Sequence, residues 1–125
     1  DSFKLLKEIN KRAYQNNRII DCLLQVHIAQ EKSKFGFNID EIDNVIEKSY
    51  ILENVKIRGL MGMASYTENK TQLKKEFKNL KKKFYKLSKE HQTILSMGMS
   101  NDYKLAIQEG SNMIRIGSAI FGKRN

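Results

Sequence analysis

The feature that most constrains this chain is a regular alternation, four times over, between segments of helical period and short apolar runs rich in β-branched residues. Helical spacing over residues 3–14 places Leu5, Leu6, Ile9 and Ala13 on one side, and the polar run Gln15-Asn16-Asn17-Arg18 ends it. A strand is expected over residues 19–29, centred on Leu23-Leu24-Gln25-Val26-His27-Ile28. A loop over residues 30–37, with Gly36 inside it, leads to a second helix. That helix starts at Asn38 as N-cap with Glu41 three residues later, and buries Ile39, Ile42, Val45 and Ile46. Then follow a strand over 55–64, a lysine-rich helix, a strand over 93–99, a short helix over 103–109 closed by Gly110, and a fourth strand over 112–117. Such an order demands parallel strands with helical crossovers, because parallel neighbours need a long return path. The expected fold class is therefore α/β, with about four strands and intervening helices.

Its 125 residues, 40% of them hydrophobic, suffice for one domain with its own core over residues 1–125. No proline interrupts an element, and no low-complexity stretch marks a boundary. The single cysteine, Cys22, cannot close an internal disulfide and has no neighbouring ligand set, so neither an oxidised scaffold nor a metal site is expected. There is no apolar run of bilayer-spanning length, and residues 1–7 lack the layout of a signal peptide, which points to the cytoplasm and away from membranes. The excess of 23 basic over 14 acidic residues suits phosphate-bearing partners without choosing among them. Much of that excess lies over residues 70–87, where Leu73, Phe77, Leu80, Phe84 and Leu87 form one apolar stripe and lysines cover the rest, the pattern of a core-packed helix with a solvated face. Nucleic-acid binding is not expected, for want of a recognition motif or an aromatic platform.

Strand parity sorts the side chains. On the first strand Leu24, Val26 and Ile28 oppose Leu23, Gln25 and His27; on the third, Leu95, Met97 and Met99 oppose Ser96, Gly98 and Ser100; on the fourth, Ile114 and Ile116 oppose Arg115 and Gly117. A sheet with one apolar side and one side carrying Gln25, His27, Ser96, Ser100 and Arg115 fits a barrel wall, in which ligands sit at the C-terminal strand ends and phosphate is often held after the last two strands. Ser100, Gly117 and Ser118 fall there. Gly98 is read as allowing close backbone approach, and the run from Ser96 to Asp102 opens directly into a helix whose first N–H groups attract an anion. Two donor-rich turns on neighbouring strands make a candidate phosphate cup, although serine beside glycine is also a common helix cap.

These segments carry a resemblance. Leu95-Ser96-Met97-Gly98-Met99-Ser100-Asn101-Asp102, then Ala106-Ile107-Gln108-Glu109-Gly110-Ser111 and Met113-Ile114-Arg115-Ile116-Gly117-Ser118-Ala119-Ile120-Phe121-Gly122, closely resemble the pyridoxal-phosphate homeostasis family. The likeness extends through Gly59-Leu60-Met61-Gly62-Met63-Ala64, Leu23-Leu24-Gln25-Val26-His27-Ile28 and Lys34-Phe35-Gly36-Phe37 to cover essentially the whole chain. It implies the C-terminal part of an alanine-racemase-like (β/α)8 TIM barrel that holds pyridoxal 5'-phosphate and buffers or delivers it without catalytic turnover. By that analogy Ser100, Gly117 and Ser118, supported by Ser96 and Gly98, contact the cofactor's phosphate, and Arg115 lies near the pyridine nitrogen. A guanidinium only donates hydrogen bonds, so the nitrogen facing it stays unprotonated and the ring is a poor electron sink. Lys34 matches a loop lysine of the family and is a possible auxiliary contact. Ser118 stands where the family usually has threonine. The lysine that holds the cofactor covalently has no counterpart here, so a missing N-terminal half is expected, with association through open sheet edges either to that half or to a second copy. A bound phosphate or sulfate ion would be a natural stand-in for the cofactor's phosphate.

Two other functions remain open at this point. A pyridoxal-phosphate-dependent racemase would need an acid–base group opposite the cofactor, for which His27 is the strand candidate, and a tyrosine; Tyr14, Tyr50, Tyr66, Tyr85 and Tyr103 all read as lying away from the strand ends. A basic nucleic-acid module would use the lysine-rich helix and show steep salt dependence.

Overall fold

A computed structural model describes residues 1–32 and 35–122. Three parallel strands, β1 (Ile20–His27), β2 (Val55–Met63) and β3 (Ile94–Met97), lie side by side in chain order. Helix α1 (Phe3–Gln15) precedes β1, α2 (Ile42–Ser49) and α3 (Lys70–Phe84) form the crossovers, and α4 (Tyr103–Gln108) follows β3. A four-residue helix, α5 (Ser118–Phe121), which the sequence pattern does not announce, closes the described part.

The helices begin where side chains can take over their unpaired first N–H groups. Ser2 Oγ accepts from the Leu5 N–H at 3.1 Å, and Asn69 Oδ1 from that of Gln72 at 3.2 Å. Asn38 heads a 3-10 turn (Ile39–Glu41) that runs into α2, its own N–H donating to Glu41 Oε2 at 3.0 Å. Helix α1 stops at Asn17, whose φ of 54° is a left-handed conformation that asparagine tolerates.

All the apolar helix faces meet one side of the sheet. Leu6 of α1, Ile42, Val45 and Ile46 of α2, Leu73, Phe77, Leu80 and Phe84 of α3, and Ala106 of α4 form one cluster with Leu24, Val26, Leu60, Leu95 and Met97 of the strands. Truncating any of the fully enclosed members, such as Phe77 or Leu95, costs about 2–5 kcal/mol. The opposite side bears Leu23, Gln25, His27, Met61 and Met63, all half-buried. A sequentially ordered parallel sheet covered on one side alone is an arc of barrel wall, with that second side as its lumen.

Along β2 the alternation of burial changes phase. Val55 and Ile57 are buried toward the helices, and so are Leu60 and Gly62, an odd number of residues further on. A β-bulge accounts for this: Cys22 pairs with Ile57 but Leu23 pairs with Gly59, leaving Arg58 without an opposite number. Arg58 turns its Nε to Asp21 Oδ1 at 3.3 Å. Gly59 then passes so close to β3 that a Cβ there would lie 1.7 Å from the Ile94 carbonyl oxygen.

The expected fourth strand needs correction. Residues 112–117 run parallel to β3 but pair with it only through an isolated bridge between Ser96 and Met113. The cause lies at Gly98, which adopts a φ of 108°. This kink sends the Arg115 N–H to the Gly98 carbonyl at 2.9 Å, one residue out of register, and the Met99 N–H to Asp102 Oδ1 at 2.7 Å. Below the bridge, side chains replace the ladder. The Asn112 side-chain amide accepts from the Leu95 N–H at 2.8 Å and donates to the Thr93 carbonyl at 2.9 Å, spanning Ile94 as a strand residue would. Nor are the sheet edges fully open: Phe37 bridges to Val26 and covers part of the outer edge of β1.

Candidate functional site

The C-terminal ends of the strands bring the predicted residues into two turns joined by the Arg115 N–H bond to Gly98. The first turn runs from Gly98 through Ser100 into α4. Its glycine has an internal reason to be there, since a Cβ at Gly98 would sit 2.8 Å from the Ala106 Cβ and 3.2 Å from Ile114 Cγ2, in addition to the positive φ. Packing against α4 and the 112–115 segment, rather than access for a ligand, explains the absence of a side chain at Gly98. Ser100 beside it is half-buried, and Asp102 is buried beneath the turn.

The second turn behaves differently. A Cβ added to Gly117 would meet nothing within 4 Å, and its φ of −109° is open to any residue. The chain itself gives no reason for glycine at this position; the space above it is free for something to approach. Gly117 is the N-cap of α5, with no side chain capping that end, and Ser118 is exposed as the first helical residue.

Arg115 lies between the turns on the lumen side. Its Nη2 reaches across β3 to the Gly62 carbonyl at a long 3.4 Å, while its Nε is buried with no hydrogen-bond partner. Burial lowers the guanidinium pKa from its ordinary value and the nearby Asp102 carboxylate opposes that shift; the group nevertheless stays a cation at any ordinary pH. A buried, unpaired guanidinium N–H is costly, and a ligand acceptor in the lumen would satisfy it.

Among the other candidates, Ser96 faces the lumen but is fully buried, flanked by Met61 and Met113. His27 ends β1 on the same side, half-buried, its backbone N–H given to the Phe37 carbonyl. Lys34 falls outside the described residues. Tyr66 and Tyr103 stand at the strand ends after all, lining a cleft of about 1240 Å³ between α3 and α4 that touches the predicted cup only through Ser100. Tyr50, by contrast, sits at the far end of the sheet, where its hydroxyl donates to Glu90 at 2.9 Å and lies 3.0 Å from His91 Nε2. The hydrogen bond to Glu90 raises the Tyr50 pKa.

One polar cluster near the site escaped the sequence reading. Glu76, on the buried side of the lysine-rich helix, accepts from the Ser65 N–H at 2.6 Å, from Ser65 Oγ at 2.8 Å and from Gln72 Nε2 at 3.0 Å, and Ser65 Oγ in turn accepts from the Gln30 N–H at 2.8 Å. The loops after β1 and β2 are thereby tied to α3 at the rim of the site. A lone acid next to the apolar stripe of a lysine helix was the available signal. Among the described residues no His, Cys, Asp and Glu side chains group to hold a metal ion, and no helix is long and apolar enough to cross a membrane.

Comparison with known proteins agrees with the fold. The sequence model of the alanine racemase N-terminal domain matches residues 1–125. The pyridoxal phosphate homeostasis protein of Aquifex aeolicus is 37% identical over 99% of the chain and 56% of its own length, and that of Helicobacter pylori strain J99 is 38% identical over 97% and 54%. Among solved structures, an unknown protein from Bifidobacterium adolescentis superposes with a TM-score of 0.87 at 31% identity, covering 97% of this chain and 50% of that one. PipY of Synechococcus elongatus with PLP bound superposes with a TM-score of 0.82 at 27% identity, over 98% and 58%. The chain thus spans about half the length of the curated relatives it matches.

Proposed function

Because the chain belongs to the alanine racemase N-terminal domain family, we propose that the protein carrying it binds pyridoxal 5'-phosphate and buffers or delivers it in the cytoplasm without turning over a substrate. The observation that carries this reading is the buried, unpartnered Nε of Arg115 on the lumen side, a donor waiting for an acceptor. When bound, the cofactor supplies an aldehyde and an electron-withdrawing pyridine ring. Arg115 donates to the pyridine nitrogen and holds it unprotonated, which weakens the ring as an electron sink and gives carbanion chemistry poor support. Ser100 and Ser118 donate hydroxyls to the phosphate, and Gly117 lets that phosphate approach the backbone. Ser96 and Gly98 shape the first turn from beneath. Lys34 is assigned an auxiliary contact from the loop after β1. The portion of the β1 edge not covered by Phe37 is assigned to pairing with further chain.

Titration of the full-length protein with pyridoxal phosphate, followed by absorbance, tests the assignment. Replacing Ser118 with Ala should weaken binding several-fold, and Arg115→Met should shift the absorption maximum of the bound cofactor as well as weaken it. Affinity and spectrum unchanged in both variants would sink the assignment. Exchange of the α-proton of an amino acid in heavy water by the same preparation would favour the racemase instead.

A further inference from the structure

The cleft between α3 and α4 is not used by the cofactor reading beyond its shared boundary at Ser100. The two helices touch at their far ends, where the Lys81 side-chain carbons come within 3.2 Å of where a Cβ on Gly110 would stand. They part toward the strand-end rim and leave a trough of about 1240 Å³. Leu73, which is buried, and the partly buried Leu105 line it, together with Lys70 and Lys74 of α3 and Lys104 of α4. All three lysines are exposed, and among the described residues none of them makes an ion pair. Of the two carboxylates in the lining, Asp102 is buried with Oδ1 held by the Met99 N–H, leaving Glu68 as the exposed acid.

We propose that this trough docks an acidic polypeptide segment of a partner protein. It is an open trough of about 1240 Å³, just above the roughly 300–1,000 Å³ of small-ligand clefts and cavities. Its cations come from both helices and its apolar lining from Leu73 and Leu105, so a chain lying along it pairs carboxylates with α3 and α4 while an apolar residue meets the two leucines. Exposed Tyr66 at the mouth adds an amphipathic contact of the kind enriched at interfaces. A partner seated there abuts the Ser100 turn. Docking itself is independent of the cofactor reading; only the consequence, that a bound partner touches the phosphate-holding loop, rests on it.

The test is fluorescence anisotropy of a labelled oligo-glutamate peptide with one central leucine, added to the full-length protein. The expected result is saturable, salt-sensitive binding that Lys70→Glu, Lys74→Glu and Lys104→Glu together weaken about tenfold or more. The same charge change on the outer face of α3, through Lys75→Glu, Lys78→Glu and Lys82→Glu, should alter it by no more than about twofold. Three results overturn the proposal: no saturable binding by the unaltered protein, equal losses in the two triple variants, or displacement of the peptide by an equal amount of oligouridylate or inorganic phosphate. Pyridoxal phosphate titration of the same samples reports separately on the cofactor site.

Discussion

The sheet is built by different means at its two ends. Toward β1, β2 offers a backbone ladder of eight residue pairs, from Ile20 opposite Val55 to His27 opposite Met63, interrupted only by the bulge. Beyond β3, the chain over 112–115 is held by one bridge and by side chains: the Asn112 amide across Ile94, and Ser111 Oγ, which lies 2.6 Å from the Met97 carbonyl it donates to and accepts from the Met97 N–H at 3.3 Å. A ladder fixes register cheaply but commits every backbone group in the strand. Side-chain clamps leave the backbone beyond them free to turn, and the turn at Gly98 and the cup at Gly117 lie just past the clamps.

That contrast can be broken on its rigid side with Gly59→Ala. The added carbon would fall 1.7 Å from a backbone oxygen, which cannot rotate away, so β2 and β3 must separate. A loss of about 3 kcal/mol or more in chemical denaturation is expected; a variant as stable as the parent would mean that the strands do not approach so closely. On the clamped side, Asn112→Ala leaves the Leu95 N–H and the Thr93 carbonyl without their partner and should cost about 2 kcal/mol. Asn112→Asp keeps the acceptor and loses the donor, so its cost should be smaller. If both substitutions prove neutral, the segment is held by something other than the amide.

The smallest effect concerns Cys22, next to the bulge. Burial raises its thiol pKa, and the Asp21 carboxylate raises it further. A raised pKa means less thiolate at a given pH, so alkylation by iodoacetamide at neutral pH should be slower than that of an unstructured cysteine peptide and should accelerate only at higher pH. Unfolding should abolish the difference. Equal rates in folded and unfolded protein would place Cys22 in the open.

Where apolar spacing was dense, the sequence was a good guide: the stripe of α3 and the parity of Leu24 and Val26 against Gln25 and His27 stand as read, and so does the span of α1, although Leu5, expected on its inner side with Leu6 and Ala13, is exposed. The errors arose where one local event overrides period. The phase change at Arg58 is invisible in an apolar run, because Gly59, Leu60, Met61 and Gly62 suit either face. The fourth strand has the composition of a strand but loses its ladder to the kink at Gly98, a tertiary accommodation to Ala106 and Ile114. At the site, both glycines were assigned to the phosphate-holding turns, yet Gly98 is filled from within and only Gly117 opens outward. Arg115 was legible through its parity, whereas the tie from Glu76 to Ser65 and Gln30 joins loops too distant in sequence for spacing to report.

The bulge also bears on what the lumen presents to a ligand. Were the bulge drawn out into a regular ladder with Arg58 kept in it, the rest of β2 would change faces, sending Met61 and Met63 into the helix layer and Leu60 and Gly62 into the lumen. The chemistry displayed at the mouth of the site is thus keyed by one residue in the middle of the strand, about 16 Å before Met63.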